Sequence, residues 1–220
     1  MTTIIENTAK VKEFMLTSGQ YVGTVYGICK ENINLIDLRE ELIREELNEL
    51  RDAVKEDNKI EILDALCDIE YVLLGAMITF GIRPEEIVVH DFELYENIEG
   101  LLEMNKTIFK NIKLLRNKQI LELDFSNLYA DLVIFRRKLS NKDANYDYLF
   151  KRGFDRVHES NMTKFCSSIE EARATCLKYD LQGVFTYFDK VRDFYVVKRS
   201  SDSKVLKSVN YQPVNLSDLV

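Results

Sequence analysis

The sequence predicts a mainly α-helical protein, an all-α bundle with a small C-terminal β meander. Three observations lead there. Gly (8) and Pro (2) are scarce among 220 residues, which disfavours a turn-rich β fold. Residues 35–80 repeat their apolar positions with helical spacing. Only residues 181–220 change character, into short β-prone runs parted by polar turns.

Residues 6–18 read as a short amphipathic helix, followed by a loop to about Asn34. A helix takes 35–56, Asp57-Asn58 turns the chain, and a second helix runs from Lys59 to Phe80. Gly81 suits its C-terminal cap, and Pro84 the first turn of the next helix. Residues 84–140 are expected to be helical, broken near Gly100 and near Asp124. The polar stretch Lys138–Asp147 reads as a loop, and 146–164 as a helix. Ser167 and Ser168 each have a Glu three places on, a capping box that starts a helix to Lys178. Val184–Phe188, Phe194–Arg199 and Lys204–Val209 are the expected strands. They are too small to bury a core of their own. The expected organisation is a helical domain over 1–180, with 84–145 inserted in it, and a β appendage over 181–220 packed against it.

Apolar residues make up 46% and charged residues 30%, enough for one globular core. The net charge of −7 disfavours a nucleic-acid partner. Cys29, Cys67, Cys166 and Cys176 have no CxxC spacing and read as packing residues with free thiols, which fits a reducing, cytoplasmic setting. No signal peptide is expected at the N-terminus, and the apolar run Tyr71–Phe80 is too short to cross a bilayer, so no membrane partner is expected. Two His and no Trp leave zinc or haem chemistry little to work with.

The carboxylates break the usual burial pattern. On the first long helix Leu35, Leu42, Ile43, Leu47, Leu50, Ala53 and Val54 share one arc. Glu46 falls inside that arc, with Glu45 and Glu49 at its edge. A solvated acidic face accounts for Glu40 and Glu41 but not for Glu46. The second helix is apolar nearly all round, yet Glu61, Asp64 and Asp68 make one narrow stripe, continued by Gly75 and Thr79. Like charges stacked on a buried face need compensation. Arg39 and Arg44 could supply it as an ion-pair network. A divalent cation suits the all-oxygen set better, and Mg²⁺ (or Mn²⁺) is favoured over zinc or di-iron because neither helix carries a His.

These blocks resemble the all-α nucleoside triphosphate pyrophosphohydrolases, the MazG-like and phosphoribosyl-ATP pyrophosphohydrolase-like group. LIREELNEL followed by ILDALCDIEYVLLGAMITFGI resembles the family core, FDRVHESNMTKF its Val-His-x-Ser-Asn-Met-Ser-Lys segment, and KVLKSVNYQPVNL the tail of phage-type and viral members. Aligned on Asp68, the family's Glu-x-x-Asp motif has Ala65 in its Glu place. Asp64 stands one residue earlier, and Glu61-x-x-Asp64 is the alternative pair. The resemblance implies an enzyme that hydrolyses a nucleoside triphosphate to NMP and pyrophosphate with Mg²⁺. It implies Glu46, Glu49, Asp68, Asp64 and Glu61 as metal-side acids and Glu45 or Glu46 as the base. Asn161, Lys164 and Lys207 fall on the phosphate side, and Gln20 near the base. His158 is expected to pack or hydrogen-bond. The family's usual dimers, with the apolar circumference of the second helix, suggest a homodimer, unless the insertion covers that helix in cis. The competing readings are a related phosphohydrolase on another phosphate ester, and a non-catalytic helical interaction protein with a structural metal site.

Overall fold

A computed structural model describes residues 2–24, 27, 32–84, 97–114, 118–139 and 145–220. Its element order is α1 (Thr2–Thr17), a 3₁₀ turn (Ile33–Leu35), α2 (Ile36–Lys55), α3 (Lys59–Thr79), α4 (Ile98–Lys113), α5 (Lys118–Leu139), α6 (Tyr146–Met162), α7 (Ile169–Asp180), β1 (Thr186–Val191) and β2 (Phe194–Arg199). The mainly helical class holds. Among the described residues no helix is long and apolar enough to cross a membrane.

Local chemistry sets the boundaries. Asn58 caps α3 by accepting from the Glu61 N–H, and Gly81 follows its end with φ +69°, where glycine avoids Cβ strain. Ser168 caps α7 through the Glu171 N–H, and the Glu171 carboxylate accepts from the Ser167 N–H, completing the expected box. α3 is the centre of the core: Leu66, Cys67, Leu73, Leu74, Ala76 and Met77 are fully buried. α2, α1, α5 and α6 pack on it, and α4 lies on α2 and α5. Gly153 lets α6 approach, since a Cβ there would lie 3.1 Å from Cys67 Sγ.

Three expectations are corrected. Asp124 lies inside α5, so the break in this region falls after Lys113 and not there. The break expected near Gly100 is met by the start of α4 at Ile98, where the cap Asn97 accepts from the Gly100 N–H. α6 ends at Met162, which leaves Lys164 in the following turn. The third strand is absent: β1 and β2 form an antiparallel hairpin, and Lys204–Val209 contributes one bridge, Val205 to Lys198. Around that bridge the Lys204 carbonyl accepts from the Arg199 N–H and the Leu206 N–H donates to the Val197 carbonyl, but Ser208 and Val209 then bond to Thr163 and Thr175, so the pairing with β2 stops there and the segment docks on the α6–α7 junction. Parts of the expected loop after Ser18, of the helix after Pro84 and of Lys138–Asp147 lie outside the described residues, as does Cys29. Cys67 and Cys166 are buried and Cys176 half-buried, all as free thiols.

α3 is covered in cis, by α2, α6 and α1 and, from the segment between α3 and α6, by α5. Leu63, Leu66, Leu73, Leu74, Met77 and Ile78 are all buried within the single chain, so the bare helix face that suggested a homodimer is not there. α5 also answers a buried acid. Glu70 is wholly buried and accepts from Asn7 Nδ2 (2.7 Å), Tyr129 Oη (3.4 Å) and Arg136 Nη1 (3.2 Å). Removing the guanidinium strands that charge, and breaking a buried pair costs about 3–5 kcal/mol. Arg136→Met should lower unfolding stability by that amount in urea titrations, and Glu70→Gln in the same background should recover part of it. A loss below about 1 kcal/mol would show that the pair is not needed to hold α5 on the core.

Candidate active site

α1, α2, α3, α6 and the C-terminal segment enclose a cleft of about 590 Å³, within the range of small-ligand sites. Helical spacing puts Glu45, Glu46 and Glu49 of α2 on one wall, and Asp64 and Asp68 of α3, one turn apart, on the wall beside it. The opposite side carries Asn161, Lys164, Lys198, Lys204 and Lys207. Of the acids expected there, Glu61 alone does not line the cleft. It is exposed at the start of α3 and reaches the site through its charge on Asp64.

The acids are under-neutralised. Burial, reinforced by the neighbouring carboxylates, pushes Glu46 and Asp68 well above the usual carboxylate range, and Lys164 opposes both shifts. Burial, then the charges of Glu61 and Glu49, raises Asp64 to about 6. Its Oδ1 is buried without a hydrogen-bond partner. Burial lowers the affinity of Lys164 for its proton, which the charge of Asp68 partly restores.

Arg39 and Arg44 are not the compensating cations. Arg44 pairs with Glu41 on the exposed side of α2. Arg39 is buried in the cleft wall, where burial lowers it to about 10. It donates to Thr79 Oγ1 (2.9 Å) and to Gln20 Oε1 (2.8 Å), both neutral. The stripe of small residues makes room for it: a Cβ on Gly75 would lie 3.1 Å from its Nη1. A guanidinium only donates, so Gln20 turns its oxygen to Arg39, and its NH₂ has no hydrogen-bond partner among the described residues.

Asn161 is buried, and its side-chain amide has no hydrogen-bond partner among the described residues. Lys207 lies over the Tyr211 ring, 4.7 Å from its centroid. His158 does pack and hydrogen-bond, to Tyr71 Oη at 3.0 Å and toward Glu13 at 3.4 Å. The sequence reading missed Lys198, Lys204 and the buried Arg39 as cleft residues. A lysine in a loop has no periodicity to betray it, but the unexplained acids opposite were a signal that cations had to come from elsewhere.

All-oxygen donors with an orphaned buried oxygen fit a hard divalent cation. The fit is not ready-made: among the described residues no three acidic, His or Cys side chains are gathered closely enough to hold an ion.

Residues 28–90 match the phosphoribosyl-ATP pyrophosphohydrolase family. The chain belongs to that family, within the MazG-like all-α NTP pyrophosphohydrolases. The family indicates a hydrolase acting on pyrophosphate bonds, of a kind that typically uses a divalent metal. The chain is also 34% identical over 244 aligned residues to Uncharacterized protein L479 of Acanthamoeba polyphaga mimivirus, spanning 97% of this chain and 95% of the viral one. No solved structure matches. The family match carries all the cleft acids and Arg39, whereas Gln20, Asn161 and the four lysines lie outside it.

Raised carboxylates make a pH test. Glu46, Asp64 and Asp68 hold protons more tightly folded than unfolded, so their contribution to stability is full below about pH 4 and is lost as the pH rises through 6 and beyond. Metal-free protein should therefore melt at a lower temperature at pH 8 than at pH 5 in calorimetry. Millimolar Mg²⁺ should raise the pH 8 value and leave the pH 5 value nearly unchanged, because protons compete for the same oxygens. A melting temperature indifferent to both would contradict this electrostatic picture.

Proposed function

We propose that the protein is a Mg²⁺-dependent nucleoside triphosphate pyrophosphohydrolase, with water attacking the α-phosphate to leave NMP and pyrophosphate. The observation that carries the reading is one cleft in which half-buried, under-neutralised acids face lysines and Asn161. A triphosphate with its cation complements both sides at once. A non-catalytic interaction protein gives no reason to set a buried, unpartnered Asp64 oxygen in a cleft opposite lysines.

Glu46, Glu49, Asp64 and Asp68 would hold the metal, with Glu61 at the mouth adding negative charge. The bound metal supplies charge neutralisation of phosphate oxygens and polarisation at phosphorus. Glu46 takes the proton of the attacking water, as burial gives it the proton affinity a base needs near neutrality. Glu45 is the alternative base. Lys164 and Lys207 neutralise phosphate charge, and Asn161 donates a hydrogen bond that orients the chain of phosphates. The apolar end formed by Val11, Phe14 and Met15 takes the nucleoside, where the NH₂ of Gln20 meets a base acceptor. In this reading residues 1–180 are the catalytic helical domain, with 84–145 inserted. The appendage 181–220 completes the phosphate side.

The deciding measurement is pyrophosphate release from a panel of NTPs and dNTPs with Mg²⁺. Release that does not depend on Mg²⁺, or none from any member, would refute the proposal. Glu46→Gln should abolish turnover while leaving the helical spectrum intact; a near-wild-type rate would remove Glu46 from the chemistry. Lys164→Ala should lower kcat/KM roughly ten- to a hundredfold with little change in metal affinity, since it loses one charged hydrogen bond. An unchanged kcat/KM would take Lys164 out of the substrate contacts.

A further inference from the structure

Lys204 stands on the loop after β2, and backbone bonds hold it there. Asp202 Oδ1 accepts from its N–H at 3.1 Å, and its carbonyl accepts from the Arg199 N–H at 2.9 Å. Val205 next to it bridges to Lys198. From this anchor the side chain reaches Glu45 on α2, with Nζ 2.5 Å from Oε2.

The other lysines of the cleft are engaged differently. Lys198 pairs with Asp189 at 3.3 Å, outside the acid row. Lys164 and Lys207 face the rings of Phe14 and Tyr211. Among the described residues, Lys204–Glu45 is thus the single ion pair that joins the cation side of the cleft to its acid side. It withholds one acid of the Glu-Glu-x-x-Glu run, and it keeps one cleft cation from any anion that enters. The two side chains are 32% and 36% exposed, and pairs so accessible to water exchange partners readily.

We propose that Lys204 is an exchangeable latch. It pairs with Glu45 while the cleft lacks nucleotide, and moves to a phosphate oxygen when the triphosphate enters. Glu45 is then released toward the cation that arrives with the nucleotide. Metal therefore binds the nucleotide-free site more weakly than the site that holds nucleotide. This rests on the cleft being a nucleoside triphosphate site.

Two effects of opposite sign test it. Wild type, Lys204→Met and Lys204→Arg are compared by Mn²⁺ binding to nucleotide-free protein, read from the spin resonance of free Mn²⁺. The same three proteins are compared by pyrophosphate release against NTP concentration at saturating Mg²⁺. Lys204→Met should bind Mn²⁺ about two- to fivefold more tightly, as Glu45 is unmasked. Its KM for NTP should rise roughly tenfold, and Lys204→Arg should restore KM. A wild type that hydrolyses NTP alongside a Lys204→Met of unchanged KM would overturn the latch alone. So would a loss of both Mn²⁺ affinity and NTP affinity in Lys204→Met, the mark of a merely structural role. A wild type that hydrolyses no NTP would overturn the reading of the cleft, and the latch with it.

Discussion

Glu46, Asp64 and Asp68 stand half-buried on two helices that the core forces into contact, and their mutual repulsion is the constraint the rest of the site answers. α2 and α3 cannot separate, because Ile43, Leu47 and Leu50 on one and Leu63, Leu66 and Leu73 on the other are fully buried. The acids next to those leucines therefore cannot escape to solvent together. The chain brings cations to them from far away in sequence: Lys164 from the turn after α6, and Lys198, Lys204 and Lys207 from the hairpin and tail. Charge thus gives a reason for a hairpin with little core of its own to sit where it does. Among the described residues only Lys204 closes the gap to an ion pair, so the acid row keeps most of its unmet demand for positive charge.

How much of this the sequence disclosed follows from the range of the interactions. Helices α2, α3 and α7 were legible because periodicity and capping are local: Asn58, Gly81 and the Ser167–Glu171 box act within a few residues of themselves. The acid row was legible for the same reason, as 100° steps put Glu46 among leucines. The third strand was misread because Lys204–Val209 has strand composition, yet the carbonyl of Thr163 and the hydroxyl of Thr175 compete for its polar groups. Tertiary partners decide β structure more than composition does. Arg39 was offered as one possible counter-charge and bonds neutral oxygens instead, because spacing shows that a cation is near a face and not which atoms it bonds. Lys204 was invisible, since its partner lies 159 residues away.

Glu70 shows why the cleft acids are better read as a binding surface than as tolerated core polarity. It follows Asp68 by two residues, which places it about 200° round the helix, on the opposite face of α3. Both faces bury carboxylates on one helix, so propensity and local sequence cannot account for the difference in their treatment. On the Glu70 side both carboxylate oxygens are bonded, by Asn7 and Tyr129 at Oε1 and by Arg136 at Oε2, and every partner is itself buried. On the cleft side Asp64 Oδ1 has no hydrogen-bond partner among the described residues, and Lys164 and Lys207 lie over the rings of Phe14 and Tyr211. A chain that can recruit Arg136 from α5 to satisfy one acid completely has the means to satisfy the others. Unsatisfied buried oxygens cost free energy, and they persist where a ligand recovers it. The contrast between two faces of one helix therefore supports the proposed role of the cleft acids on grounds independent of the family match.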